Sequence, residues 1–116
     1  GAEVAFVGAV GTDGDGAWLA DRLATSGVDV SGLSRIEGPS GQALISVDAA
    51  GENAIVVIPG ANGAFTALSE EQEALIRGAG VVLAQLETPL ETVTAAARLA
   101  VSDPSSGRPN VAPSVR

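Results

Sequence analysis

The stretch from Gly38 to Asn62, GPSGQALISVDAAGENAIVVIPGAN, constrains this chain more than any other. Two runs rich in Ile and Val flank a short polar turn, Asp48-Ala49-Ala50-Gly51-Glu52-Asn53. Alternating apolar runs around a Gly-containing turn specify a β-hairpin. Side chains alternate across a strand, so Ala43, Ile45 and Val47 point one way and Leu44, Ser46 and Asp48 the other. Pairing Ile45 with Val57 sets Val47 opposite Ile55 and leaves a five-residue loop, Ala49 to Asn53. One face is then continuously apolar. An isolated two-stranded ribbon is marginal in water, so that face must cover something, either core or a ligand.

Around the hairpin, strands alternate with helices. Glu3 to Val10 is a mostly apolar run that reads as a strand buried on both faces, as in a parallel sheet. Gly11 to Gly16 breaks it. Asp15 is placed to cap a helix from about Gly16 to Ser26, with Trp18 or Leu19 and Leu23 as its apolar stripe and Gly27 as its stop. Val28 to Val30 is short and extended, and Leu33 to Ile36 forms a further short strand. Gly63 to Thr66 reads as a loop. Ser69 and Gln72 make a capping box for a helix that stops at Gly78. Val81 to Leu86 is a second buried strand. Thr88, Pro89 and Glu91 then start another helix, with Leu90, Val93, Ala97 and Ala100 along one side. This order predicts an α/β sheet with right-handed crossovers, in one domain over residues 1–101. The tail, 102–116, is dominated by Ser, Pro, Gly and Arg and is expected to be irregular.

Composition narrows the chemistry. There is no Cys, His, Lys or Tyr, and all six basic residues are Arg. That removes thiolate, imidazole and amine chemistry from consideration. The net charge of −8 repels nucleic acid and anionic lipid, and three aromatic residues are too few for a base-stacking platform. No run is apolar enough to span a bilayer, and the first residues show no secretory n-region, so a cytoplasmic protein is expected. The chain contains no Met, which suggests a piece cut from a longer one.

Glu87 is the leading candidate for function. It follows a strand and precedes a helix, where ligands collect in open α/β sheets, and a carboxylate there can accept hydrogen bonds from sugar hydroxyls. An exposed loop acid is the plainer reading. The Gly11–Gly16 turn lacks the spacing of a dinucleotide-binding loop, and Asp13 and Asp15 would repel a pyrophosphate. Ala17 stands where a calcium loop needs a third ligand. Capping and turn formation are the expected roles of both aspartates. Asn62 either makes a plain turn or ties the hairpin back to the main sheet.

Three segments carry a resemblance: GAVGTDGDG at Gly8–Gly16, GQALISVDAAGENAIVVIPGAN at Gly41–Asn62 and LAQLETPLETV at Leu83–Val93. Together they resemble the PfkB carbohydrate-kinase family, and within it the ribokinase branch. Asn110-Val111-Ala112-Pro113 is similar to that family's Asn-x-Ala-Pro. The resemblance implies a fragment of a Rossmann-like α/β ribokinase fold with a β-hairpin lid over a sugar site. It implies that Ala43, Ile45 and Val57 pack on the sugar, that Glu87 hydrogen-bonds it, and that lids pair between two subunits. ATP, Mg2+ and a monovalent cation are implied for the complete kinase, at sites outside this chain. So are the family's N-terminal sugar-binding Asp, its Gly-Gly-Lys-Gly-Ala-Asn segment and its Gly-Ala-Gly-Asp loop, which supplies the catalytic base. The expected function is part of an ATP-dependent sugar kinase, with ribose as the substrate. The alternatives are a non-catalytic module pairing through the hairpin and a kinase of the same family acting on another substrate.

Overall fold

The computed structural model describes residues 1–101 and the backbone of Val111–Pro113. The elements, in chain order, are β1 (Gly8–Gly11), α1 (Gly14–Thr25), β2 (Leu33–Ile36), β3 (Gln42–Val47), β4 (Asn53–Ile58), α2 (Ala61–Ala64), α3 (Glu70–Arg77), β5 (Val82–Ala84), α4 (Leu90–Val101) and β6 (Val111–Pro113). The strands associate in pairs: β1 with β2 parallel, β3 with β4 antiparallel, and β5 with β6 parallel. The Cα radius of gyration is 15.6 Å, above the roughly 13 Å of a compact chain this long.

β1 is buried at all four positions, as a central parallel strand should be. It is shorter than expected. Ala5 pairs with Asp29 only as a single bridge, and Phe6 and Val4 are 42% and 53% exposed. The Phe6 amide donates to the Asp29 carbonyl and the Gly8 amide to the Gly32 carbonyl. Two residues on one side thus span three on the other, a bulge that interrupts the ladder.

α1 begins two residues earlier than the sequence suggests, because its cap is Asp13 rather than Asp15. An Asp13 carboxylate oxygen accepts from the Gly16 amide at 2.9 Å. Asp13 also accepts from the Ser40 amide (2.8 Å) and the Ser40 hydroxyl (2.7 Å). These donors, led by the Ser40 amide, hold its carboxyl below the usual carboxylate range. The helix ends at Gly27 in a Schellman motif: Val28 donates to the Leu23 carbonyl and Gly27 to that of Ala24. Trp18 lies outside the apolar stripe. It is 60% exposed and stacks on the Arg22 guanidinium at 5.6 Å; Leu19 is 38% exposed, and Leu23 is the half-buried member of the stripe.

The hairpin forms as predicted but in a different register. Ile45 pairs with Ile55, and Val57 with Ala43. The turn decides this. The Asp48 amide donates to the Glu52 carbonyl at 2.8 Å, and the Asp48 side chain accepts from the Ala50 and Glu52 amides, both at 2.9 Å. Gly51, at φ +81°, takes the left-handed position that closes such a loop. The open loop is therefore Asp48–Glu52. A slip of two residues leaves every side chain on its face, so Ala43, Ile45, Val47, Ile55 and Val57 still share one side. That side covers no core: every residue of β3 and β4 is exposed.

Gly63 and Ala64 are not loop residues. They complete α2, a single turn that buries Ala61 and leads into buried Phe65. Ala61 and Phe65 close on Ala9 of β1, with Val7, Ile36 and Leu68 around them. The capping box of α3 forms as read from the sequence: Ser69 and Gln72 exchange hydrogen bonds at 3.2 and 2.9 Å. Gln72 goes further. Buried at 3% exposure, it donates to the Gly32 carbonyl at 2.9 Å and the Ser34 hydroxyl at 2.8 Å, fixing α3 on β2.

β5 is only half-buried: Leu83 is 70% exposed and Val81, just before it, 72%, because β6 is its only strand partner among the described residues. At α4 the expected box between Thr88 and Glu91 is replaced by the Pro89 carbonyl, which accepts from Thr92 and Val93. Leu90 is exposed. Thr92 is buried instead and donates its hydroxyl to the Phe65 carbonyl at 2.7 Å. The expectation of a wholly irregular tail is corrected at Val111–Pro113, which pairs with β5. Asn110 and the rest of the tail lie outside the described residues.

Two tests follow from these bonds. Gln72→Leu removes the bonds to the Gly32 carbonyl and the Ser34 hydroxyl and leaves the Ser69 amide without its acceptor, and urea unfolding should show a loss of about 1–3 kcal/mol. A control, Glu70→Gln on the exposed side of α3, should stay within about 0.5 kcal/mol. The Asp13 carboxyl sits below its ordinary 3.8. The stability it contributes is therefore complete above that value and is lost as pH falls through the folded-state value. Thermal melts of wild type and Asp13→Asn should differ at neutral pH and converge at the acid end.

Candidate functional site at the base of the hairpin

The hairpin leaves the body through two segments, Pro39-Ser40-Gly41 on the way out and Pro59-Gly60-Ala61 on the way back. They are joined where the Ala61 amide donates to the Pro39 carbonyl at 3.0 Å. Gly60, at φ +51°, lies so close that an added Cβ would stand 2.6 Å from the Pro39 carbonyl oxygen. Gly11, at the end of β1, is equally crowded against Gly38 and Ser40. Small residues here let β1, α1 and both hairpin roots meet in one place.

A cavity of about 240 Å³ opens at this junction. Gly41, Gln42 and Ala43 line it from the start of β3, and Val57, Ile58 and Pro59 from the end of β4. Asn62 from α2 and Glu87 from the turn after β5 complete it. The arrangement has a clear division of character. Ala43 and Val57, directly paired across the hairpin, offer a small apolar surface. Glu87 offers carboxylate acceptors, while the Asn62 and Gln42 amides can both donate and accept. Gln42 is steered by Asp15, whose carboxylate accepts from its amide at 3.4 Å. A second cavity, of about 290 Å³, shares Gly41 and Asn62 with the first and is lined otherwise by Phe6, Ala9, Val10, Leu19, Leu23, Ser40 and Gln85.

Of the residues singled out from sequence, the structure brings Ala43, Val57 and Glu87 to one cavity. Ile45 shares their face but sits one step nearer the tip, 61% exposed and outside the lining. Glu87 is exposed at the cavity rim. Sequence reasoning placed Asn62 in a turn or a tie, and the structure gives it both a place in α2 and a place on the cavity wall. Gly41 was missed. Its signal is steric: a Cβ there would come within 2.5 Å of the Asn62 amide nitrogen.

Comparison with known proteins extends these observations. The family model of the pfkB family carbohydrate kinases matches residues 1–113. The chain is 36% identical to a ribokinase of Haemophilus influenzae over 102 residues, covering 86% of this chain and 33% of that protein. It is 38% identical to a ribokinase of Schizosaccharomyces pombe over 100 residues, covering 84% of this chain and 31% of the other. Among solved structures, an Arabidopsis thaliana ribokinase complexed with ribose and ATP superposes with a TM-score of 0.83 at 28% identity, covering 97% of this chain and 36% of that one. The chain thus spans about a third of the length of these relatives. A matching family model over nearly the whole chain, relatives above 30% identity and a shared fold place this chain in the pfkB family of carbohydrate kinases.

Proposed function

We propose that this chain forms the hairpin lid and part of the sugar site of an ATP-dependent ribose kinase. The observation that carries the reading is the meeting of Ala43, Val57 and Glu87, from three separate segments, at one cavity. Its volume of about 240 Å³ lies below the range typical of drug-sized ligands (about 300–1,000 Å³) and suits a compact sugar. Ala43 and Val57 pack against the carbon skeleton. Glu87 accepts hydrogen bonds from hydroxyls, and the hairpin above shields the site from water. Ile45 extends the apolar surface toward the tip. The relatives named above support ribose as the sugar.

The complete kinase would move the γ-phosphoryl group of ATP to the terminal hydroxyl of ribose, giving ribose 5-phosphate. Such transfer depends on positioning and on stabilising charge. This chain supplies the positioning. Among the described residues no three His, Cys, Asp or Glu side chains gather where they could hold a metal ion, and the chain has no Lys to hold a phosphate. The described residues thus offer no ligand cluster for magnesium, and no step is assigned to them. The domain is taken as 1–101. A cytoplasmic setting, which supplies ATP, is part of this reading.

A specific observation favours self-association as well. Ile45, Val47, Ile55 and Val57 are 58–66% exposed on one face of the hairpin, a contiguous apolar surface of the kind that marks an interface. We read it as the contact of a homodimer through the hairpins.

Three outcomes are expected. The purified chain binds ribose weakly in calorimetry, and Glu87→Gln lowers that affinity by about tenfold, the worth of one or two hydrogen bonds to a charged group. With labelled ATP the chain phosphorylates no ribose; measurable product would refute the division of labour proposed here. On size exclusion the chain runs as a dimer that Ile45→Asp converts to monomer.

A further inference from the structure

We propose that Asp13 and Ser40 are positioning residues: together they form a clamp that sets the angle of the hairpin and so the wall of the cavity. The proposal rests on the sugar-site reading given above. Ser40 is 2% exposed, the most thoroughly buried polar side chain described. Its hydroxyl donates to one Asp13 carboxylate oxygen at 2.7 Å and accepts from the Gly11 amide at 2.9 Å. Its amide donates to the other carboxylate oxygen at 2.8 Å. Asp13 is itself fixed by the Gly16 amide at the start of α1. One residue is therefore held by the end of a strand, the cap of a helix and both oxygens of one carboxylate.

The next three residues, Gly41, Gln42 and Ala43, line the cavity. Beyond them the hairpin is exposed at every strand position. Its orientation must be set at its roots. The paired strands extend about 20 Å at roughly 3.4 Å per residue, so a tilt of about 10° at Ser40 moves the tip by about 3–4 Å. Ala43 and Val57 would move with it relative to Glu87, which belongs to the body. Capping α1 and holding Ser40 are separable tasks. A serine at position 13 can still accept from Gly16 but cannot present two oxygens to Ser40.

The chain has no cysteine, so spin labels at Ala49→Cys on the tip and Glu71→Cys on α3 report the hairpin angle directly by pulsed dipolar spectroscopy. The parent should give a narrow distance distribution. Ser40→Ala and Asp13→Ser should broaden it about twofold with helical circular dichroism retained, and should weaken ribose binding by about tenfold. An unchanged width in both variants overturns the clamp, as does broadening that leaves ribose affinity untouched. If no form binds ribose, the sugar reading fails, while broadening in both variants still supports the clamp. Hydrogen exchange in the parent covers the case of a variant that does not fold. The Gly11 and Ser40 amides should exchange at least tenfold more slowly than the slowest amide of β3 or β4, and equal rates refute the proposal.

Discussion

The Ser40 hydroxyl is the point on which several parts of this molecule depend. It accepts from the end of β1 and donates to the residue that starts α1. Gln72 and Thr92 do the same work elsewhere, joining α3 to β2 and α4 to the segment after α2. These three are the buried polar side chains of the described residues, and none has an unpaired buried atom. The apolar core they accompany is small, built of alanine, valine, one isoleucine and one phenylalanine. A core of that size cannot by itself specify how elements sit on one another. Buried hydrogen bonds can, because leaving any one of them unmade strands a polar group away from water.

Local chemistry was the legible part of the sequence. The Ser69–Gln72 box and the Gly27 stop each depend on residues within a few positions of one another and form as read, and the hairpin forms where expected though in another register. Choices between neighbours were less legible. Asp13 and Asp15 are equally good caps in isolation, and the decision falls to Ser40, far away in sequence. The hairpin register likewise turned on one side chain, Asp48, closing a loop of the expected length one residue earlier in the chain. Burial was the least legible property. Val81 and Leu83 have the composition of a central strand, but burial is a matter of neighbours, and β5 has one strand partner among the described residues.

The candidate site shows the same division. Alternation placed Ala43 and Ile45 on one face, and Val57 joined them in the expected and in the observed register alike, since the two differ by two residues and such a slip preserves the face. The meeting with Glu87 was implied only by family resemblance, because no local pattern links a turn after β5 to the hairpin roots. Gly41 escaped notice, and Asn62 was read only as a turn or a tie to the sheet, for a physical reason. Their role is a close contact between two backbone segments, and sequence spacing carries no trace of it.

The sealed turn at Asp48 has a consequence for how the hairpin behaves in a crowded solution. Its strands, QALISV and NAIVVI, carry no charge, and β-branched ribbons with open edges are templates for cross-β growth. Asp48 and Glu52 are the only ionised groups between Glu37 and Glu70, and both sit at the tip. By locking Asp48 into the turn, the fold keeps a pair of like charges fixed at one end of the ribbon. Ribbons stacking in parallel register would bring those charges together, layer upon layer. Antiparallel contact keeps them at opposite ends. The turn thus acts as a gatekeeper, disfavouring open-ended stacking while leaving a closed pair of hairpins available.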